Sequence, residues 1–153
     1  MNYYLFQVKF KGYPESWKIM VQKGIAAQDY PAGDVYWRVN RAELDKLKAE
    51  DVIVAAVQDY KFVGYGVLRS GLQPVVAGPN DPFHGIAGGF LQRFDCVWTA
   101  IPFENDQVDC HDLKEQSDIR LRHLYCLKLI DENTFGVLKA RLDAAGARKV
   151  PHQ

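Results

Sequence analysis

Two apolar stretches, Asp51–Val57 and Phe62–Leu68, flank the polar turn Gln58-Asp59-Tyr60-Lys61, and this run constrains the fold more than any other part of the chain. Short β-rich segments on either side of a tight polar turn predict an antiparallel hairpin. A third apolar and aromatic stretch, RFDCVWTAIPF from Arg93 to Phe103, predicts a neighbouring strand. Gly64 and Gly66 stand two apart in the second strand and therefore share a face. Missing side chains there permit either tight strand curvature or the close approach of a planar ligand, and the spacing alone leaves both open.

The segments before the hairpin read as a strand over Tyr3–Phe10, a short helix over Pro14–Gln22 stopped by Gly24, and a loop through Tyr30–Asp34. Val35–Val39, rich in β-branched and aromatic residues, is predicted to be extended. Asn40 then opens a helix with Glu43 at capping-box spacing and Leu44 and Leu47 facing inward. After the hairpin, Ser70–Gln92 carries too many glycines and prolines for regular structure. It is also far longer than an ordinary connection of about 4–6 residues. Phe83, His84 and Phe90 inside it argue for a functional loop, because disordered linkers are poor in aromatics. Leu121–Ile130 is predicted as a strand. Asp131 or Asn133 caps a closing helix with Phe135, Leu138, Leu142 and Ala145 on one stripe. The expected organisation is one domain over 1–146 and a frayed tail over 147–153.

A chain of 153 residues with 48% hydrophobic content buries one core. Nineteen basic and nineteen acidic residues cancel, so any nucleic-acid contact must be local. No signal peptide or apolar membrane-length segment is evident, which predicts a cytoplasmic protein with no membrane partner. Three cysteines, Cys96, Cys110 and Cys126, do not make a disulfide framework. Cys110, His111, His123 and Cys126 lack the paired spacing of a zinc site, and no metal or cofactor is expected.

The motifs VYWRVNRAEL (Val35–Leu44), YKFVGYGVLRS (Tyr60–Ser70) and RFDCVWTAIPF resemble the PUA-like superfamily, in particular its EVE and YTH-like branch. The similarity extends over about residues 2–142. It implies an α+β fold, a small curved antiparallel β-barrel with flanking helices, and a nucleic-acid-binding module that flips a modified base into an aromatic pocket. Two departures stand out. Glu50-Asp51 replaces the family's Gly-Asp, and the long loop lacks the tryptophans of YTH domains, so Phe83 or Phe90 takes their place.

Stacking a base on an aromatic side chain contributes about 1–3 kcal/mol, and burying one added methyl about 0.8 kcal/mol. An enclosed cage can therefore favour a methylated base. Trp37, in the position matching the family's leading cage tryptophan, is the first candidate for the cage floor. Tyr65, Phe83, Phe90 and Trp17 are candidate walls, and Asn40 a candidate base-edge contact. Each has a structural alternative, as core for the aromatics and as helix cap for Asn40. Trp98, inside a strand, reads as core. Arg38, Arg41, Lys61, Arg69 and Arg93 are candidate phosphate contacts, and Arg120, Arg122 and His123 form a second basic knot.

The implied partner is DNA or RNA carrying a modified base, with a separately encoded nuclease or motor protein as effector. No GxSxG, Walker, CxxC or HExxH motif is present, so the chain is not expected to be an enzyme. The alternatives are a small hydrolase of a modified nucleoside, using Lys61, Thr99 and Glu104, and a protein-interaction adaptor built on the aromatic loop.

Overall fold

The computed structural model describes residues 1–30, 35–75, 77–86, 88–121 and 127–151, with 35–39 described as backbone alone. The predicted hairpin forms β3 (Val52–Gln58) and β4 (Lys61–Leu68), joined by Asp59-Tyr60 with Tyr60 at φ 60°. β5 (Gln92–Ala100) lies antiparallel to β4, with Gly66 opposite Trp98 and Leu68 opposite Cys96. β1 (Tyr3–Gln7) pairs parallel to β3, placing Leu5 beside Val54. It pairs antiparallel to β7 (Leu127–Ile130) on its other side. β2 (Ile25–Gln28) extends the sheet beyond β5, and the two-residue strands β6 (Val108–Asp109) and β8 (Arg148–Lys149) add to β4 and β5.

The strands form one mixed sheet in the order β2-β5-β4-β3-β1-β7. The β3–β4 ladder shifts register between Ala55 and Gln58, the irregularity a bulge produces. The expected small curved antiparallel β-barrel is corrected in two respects. The β1–β3 ladder is parallel, and among the described residues the outer strands β2 and β7 do not pair with one another. Each of these outer strands has only four residues, too short a ladder to seal a barrel.

Among the described residues three α-helices accompany the sheet. α1 (Glu15–Lys23) ends as predicted at Gly24, whose left-handed φ of 69° lets its N–H reach the Met20 carbonyl. α2 spans Val35–Asp45, so the expected extended pentad Val35–Val39 is helical. Asn40 therefore lies inside this helix and does not start it. Asn40, Leu44 and Leu47 recur at helical spacing and are all buried, so the inward stripe overrides the strand preference of Val35, Tyr36 and Val39. α3 (Glu132–Ala144) is capped by Asp131, whose Oδ1 accepts the Thr134 N–H at 2.6 Å. A 3-10 turn covers His111–Leu113.

The tail does not fray at Gly146. Arg148 and Lys149 pair with β5, and the Val150 N–H donates to the Trp98 carbonyl at 3.0 Å. Leu5, Phe6, Met20, Ile53, Phe62, Phe94 and Trp98 form the centre of one core. No described helix is long and apolar enough to cross a membrane.

Candidate nucleic-acid interface

The long connection between β4 and β5 is folded onto the sheet. Arg93, at the start of β5, forms a bidentate ion pair with Asp81 at 2.5 and 2.6 Å and donates further hydrogen bonds to the Phe90 and Gly89 carbonyls. Both side chains are less than a tenth exposed. The Arg93 guanidinium beside Asp81 holds its carboxyl below the usual carboxylate range. Phe83 and Phe90 stack on each other at 5.1 Å, the guanidinium lies 4.7 Å over the Phe83 ring, and Phe10 meets both Phe90 and Tyr30 edge to face.

These contacts reassign three expected site residues. Phe83 and Phe90 are fully buried and already stacked, so they form the core of the loop and not the open walls of a cage. Arg93 is buried and its donors are engaged, so it fastens the loop and is not placed to meet a phosphate.

The same loop is tied to the end of β2. The buried Gln92 amide accepts the Tyr30 N–H at 2.8 Å and donates to the Tyr30 carbonyl at 3.0 Å. Asp29 accepts the Gly88 N–H at 3.2 Å, and a Cβ at Gly88 would come within 2.5 Å of the Asp29 carboxylate. Asp29 and Tyr30, which follow β2, are thus anchored to the loop. Arg41 of α2, with Leu72, Gln73, Pro74, Val75, Leu91 and Gln92, lines a shallow groove of about 340 Å³. Trp37 occupies the helical position one turn before Arg41, and positions four apart lie on one helix face. The Trp37 and Arg38 side chains are outside the described residues. Arg41 is exposed and pairs with Asp45 at 3.1 Å.

The remaining expected site residues lie elsewhere. Asn40 is buried on the inner side of α2, out of reach of a base edge at the surface. Tyr65 faces α3, where its hydroxyl donates to Asp143 at 2.7 Å and its ring meets Phe135 edge to face, so it joins the sheet to that helix. Burial pushes its hydroxyl pKa up. Trp17 is 3% exposed and packs edge to face on Trp98 at 4.8 Å. Arg69 is exposed and pairs with Glu50 at 3.3 Å, and Arg120 is exposed. Arg122, His123 and Cys126 lie outside the described residues. Gly64 and Gly66 are pressed against β5. A Cβ would come within 2.7 Å of the Thr99 carbonyl at Gly64 and within 2.5 Å of the Cys96 sulfur at Gly66, so the neighbouring strand fills the space a base would need.

Lys61, Thr99 and Glu104 do not assemble into one pocket. Lys61 opens β4 and lines a cleft beside α1, Thr99 stands opposite Tyr65 on β5, and Glu104 sits in an exposed turn. Among the described residues no group of three or more His, Cys, Asp or Glu side chains is suited to hold a metal. Burial pushes the Cys96 thiol well up, which makes it a small core hydrophobe.

No family profile matches the sequence, and no curated protein matches it in sequence. Its fold, however, is shared with solved structures. A Zygosaccharomyces rouxii YTH domain, solved in complex with N6-methyladenosine RNA, superposes with a TM-score of 0.57 at 16% identity, covering 91% of this chain and 83% of the other. An Agrobacterium tumefaciens protein matches with a TM-score of 0.56 at 16% identity over 99% of both chains. A Pseudomonas syringae protein matches with a TM-score of 0.57 at 16% identity over 92% of this chain and 99% of the other. At these identities the likeness is one of fold.

Proposed function

We propose that this protein is a nucleic-acid-binding module of EVE/YTH-like type that accommodates a flipped, methylated base beside α2 and the β4–β5 loop. The observation that carries the reading is the placement of Arg41, one helical turn after Trp37, on a groove rimmed by the β4–β5 loop, in a fold shared with a domain solved on N6-methyladenosine RNA. Trp37 supplies the stacking face, worth about 1–3 kcal/mol per base. Arg41 and Arg38 supply phosphate contacts that position the strand without reading it. Leu72, Pro74, Val75 and Leu91 offer apolar surface for a methyl group.

Phe83 and Phe90 act behind the site, as the packed support that holds the loop. Base extrusion costs a few kcal/mol in a duplex and little in a single strand, which makes single-stranded RNA the first substrate to test.

Fluorescence polarisation with short RNA and DNA oligonucleotides, each with and without N6-methyladenine or 5-methylcytosine, tests the proposal. Methyl-dependent binding at least about tenfold tighter, a difference of about 1.4 kcal/mol, with loss of that preference in a folded Trp37→Ala variant, is the expected result. Equal affinity for all oligonucleotides, or a preference unchanged in Trp37→Ala, rules out the aromatic base site proposed here.

A further inference from the structure

A second cleft, separate from the groove beside α2, opens between the start of α1, the start of β4 and the chain that follows β5. It encloses about 490 Å³, within the range of roughly 300–1,000 Å³ typical of small-molecule sites. Trp17, Val63 and Ile101 form its buried apolar floor. Tyr13 and Phe103 also line it. Phe103 is 44% exposed, unusual for a phenylalanine in a protein whose remaining phenylalanines are largely covered.

The polar rim is balanced in charge. Lys18 and Lys61 face the cleft from one side of the ledger of charge, Asp106 and Asp109 from the other. Lys18 lies 5.9 Å over the Phe103 ring and 3.7 Å from Glu15, while Asp109 accepts hydrogen bonds from the backbone and ring of His111. Such a rim has no excess of positive charge to hold a phosphate, and no excess of negative charge to hold a free cation. Aromatic side walls and an amide at the edge, Gln107, which interacts with the Tyr13 hydroxyl, instead suit a flat ring with its own donors and acceptors.

We infer that this cleft binds a neutral, planar heteroaromatic molecule of nucleoside size, its ring against Phe103 and its donor–acceptor edge on Gln107. The site does not depend on the groove beside α2, so it stands or falls independently of the base-reading proposal.

Saturation-transfer-difference NMR and calorimetric titration of the full chain with adenosine, uridine, nicotinamide and adenosine 5′-monophosphate test this. At least one neutral ring compound is expected to saturate with a Kd at or below about 1 mM. Adenosine 5′-monophosphate is expected to bind no tighter than adenosine. Phe103→Ala and Gln107→Ala, both at exposed positions where melting curves should match the wild type, are each expected to weaken binding at least about fivefold. Trp37→Ala is expected to leave it unchanged. Failure of every ring compound to saturate overturns the inference, as does wild-type affinity in both cleft variants. A monophosphate that binds about tenfold tighter than its nucleoside overturns the neutral-ligand assignment.

Discussion

Asp81 and Arg93 fasten the β4–β5 loop through a largely buried bidentate pair, so removing the carboxylate leaves the guanidinium desolvated, with only the Phe90 and Gly89 carbonyls to accept from it. Breaking such a pair costs about 3–5 kcal/mol. Asp81→Asn is expected to lower the free energy of unfolding by an amount of that order, read from the urea midpoint at constant slope. The pH dependence follows from the lowered Asp81 pKa. Because the folded value lies below the unfolded one of about 3.9, the pair's stabilisation is present above that pH and is lost as pH falls through the folded value. Acid titration should therefore show a loss of stability below about pH 4 that is smaller in Asp81→Asn. Gly66 is a second critical residue, since a methyl there meets the Cys96 sulfur and the Trp98 ring. Gly66→Ala is expected to destabilise by about 1–3 kcal/mol through overpacking, measured by thermal or urea unfolding. An unchanged midpoint would show that the strand can shift to admit the methyl.

Among the elements, the hairpin β3–β4, the strand β5, and helices α1 and α3 follow from local signals: alternating or continuous apolar runs, a polar turn, Gly24 and Asp131. Helix α2 was not legible in its first half. Val35, Tyr36 and Val39 favour strands as single residues, and only the buried Asn40–Leu44–Leu47 stripe reveals the helical period. The long loop was legible as special through its aromatics, but their burial was not. The packing of Phe10 and Tyr30 against Phe90, and the partnership of Asp81 with Arg93, join residues far apart in sequence. The cleft lined by Tyr13, Phe103 and Gln107 was missed for the same reason, its one local signal being the exposed phenylalanine after Pro102. A direct test at this scale is the α3 cap. Asp131→Ala removes the acceptor for the Thr134 N–H and is expected to cost about 1 kcal/mol, while Asp131→Asn, which keeps an acceptor oxygen, should restore most of it.

At the scale of the whole molecule, one sheet carries both candidate sites. The order β2-β5-β4-β3-β1-β7 places the end of β2, the β4–β5 loop and α2 together, while β6 and the chain after β5 meet the start of α1 at the second cleft. A chain with equal numbers of acidic and basic residues offers no global attraction to a polyanion. Nucleic-acid binding through a few local cations should accordingly show a shallow salt dependence, with about one unit of log–log slope per phosphate contact and a slope reduced by about one in Arg41→Ala. Base reading beside α2 is best tested by a chemical-shift map of the backbone amides on addition of single-stranded RNA containing one N6-methyladenine. Saturable shifts are expected to cluster on Arg41, Leu72–Val75 and Leu91–Gln92 and to be much weaker with the unmethylated strand; shifts confined to other surfaces, or identical for both strands, would rule out base reading at this groove.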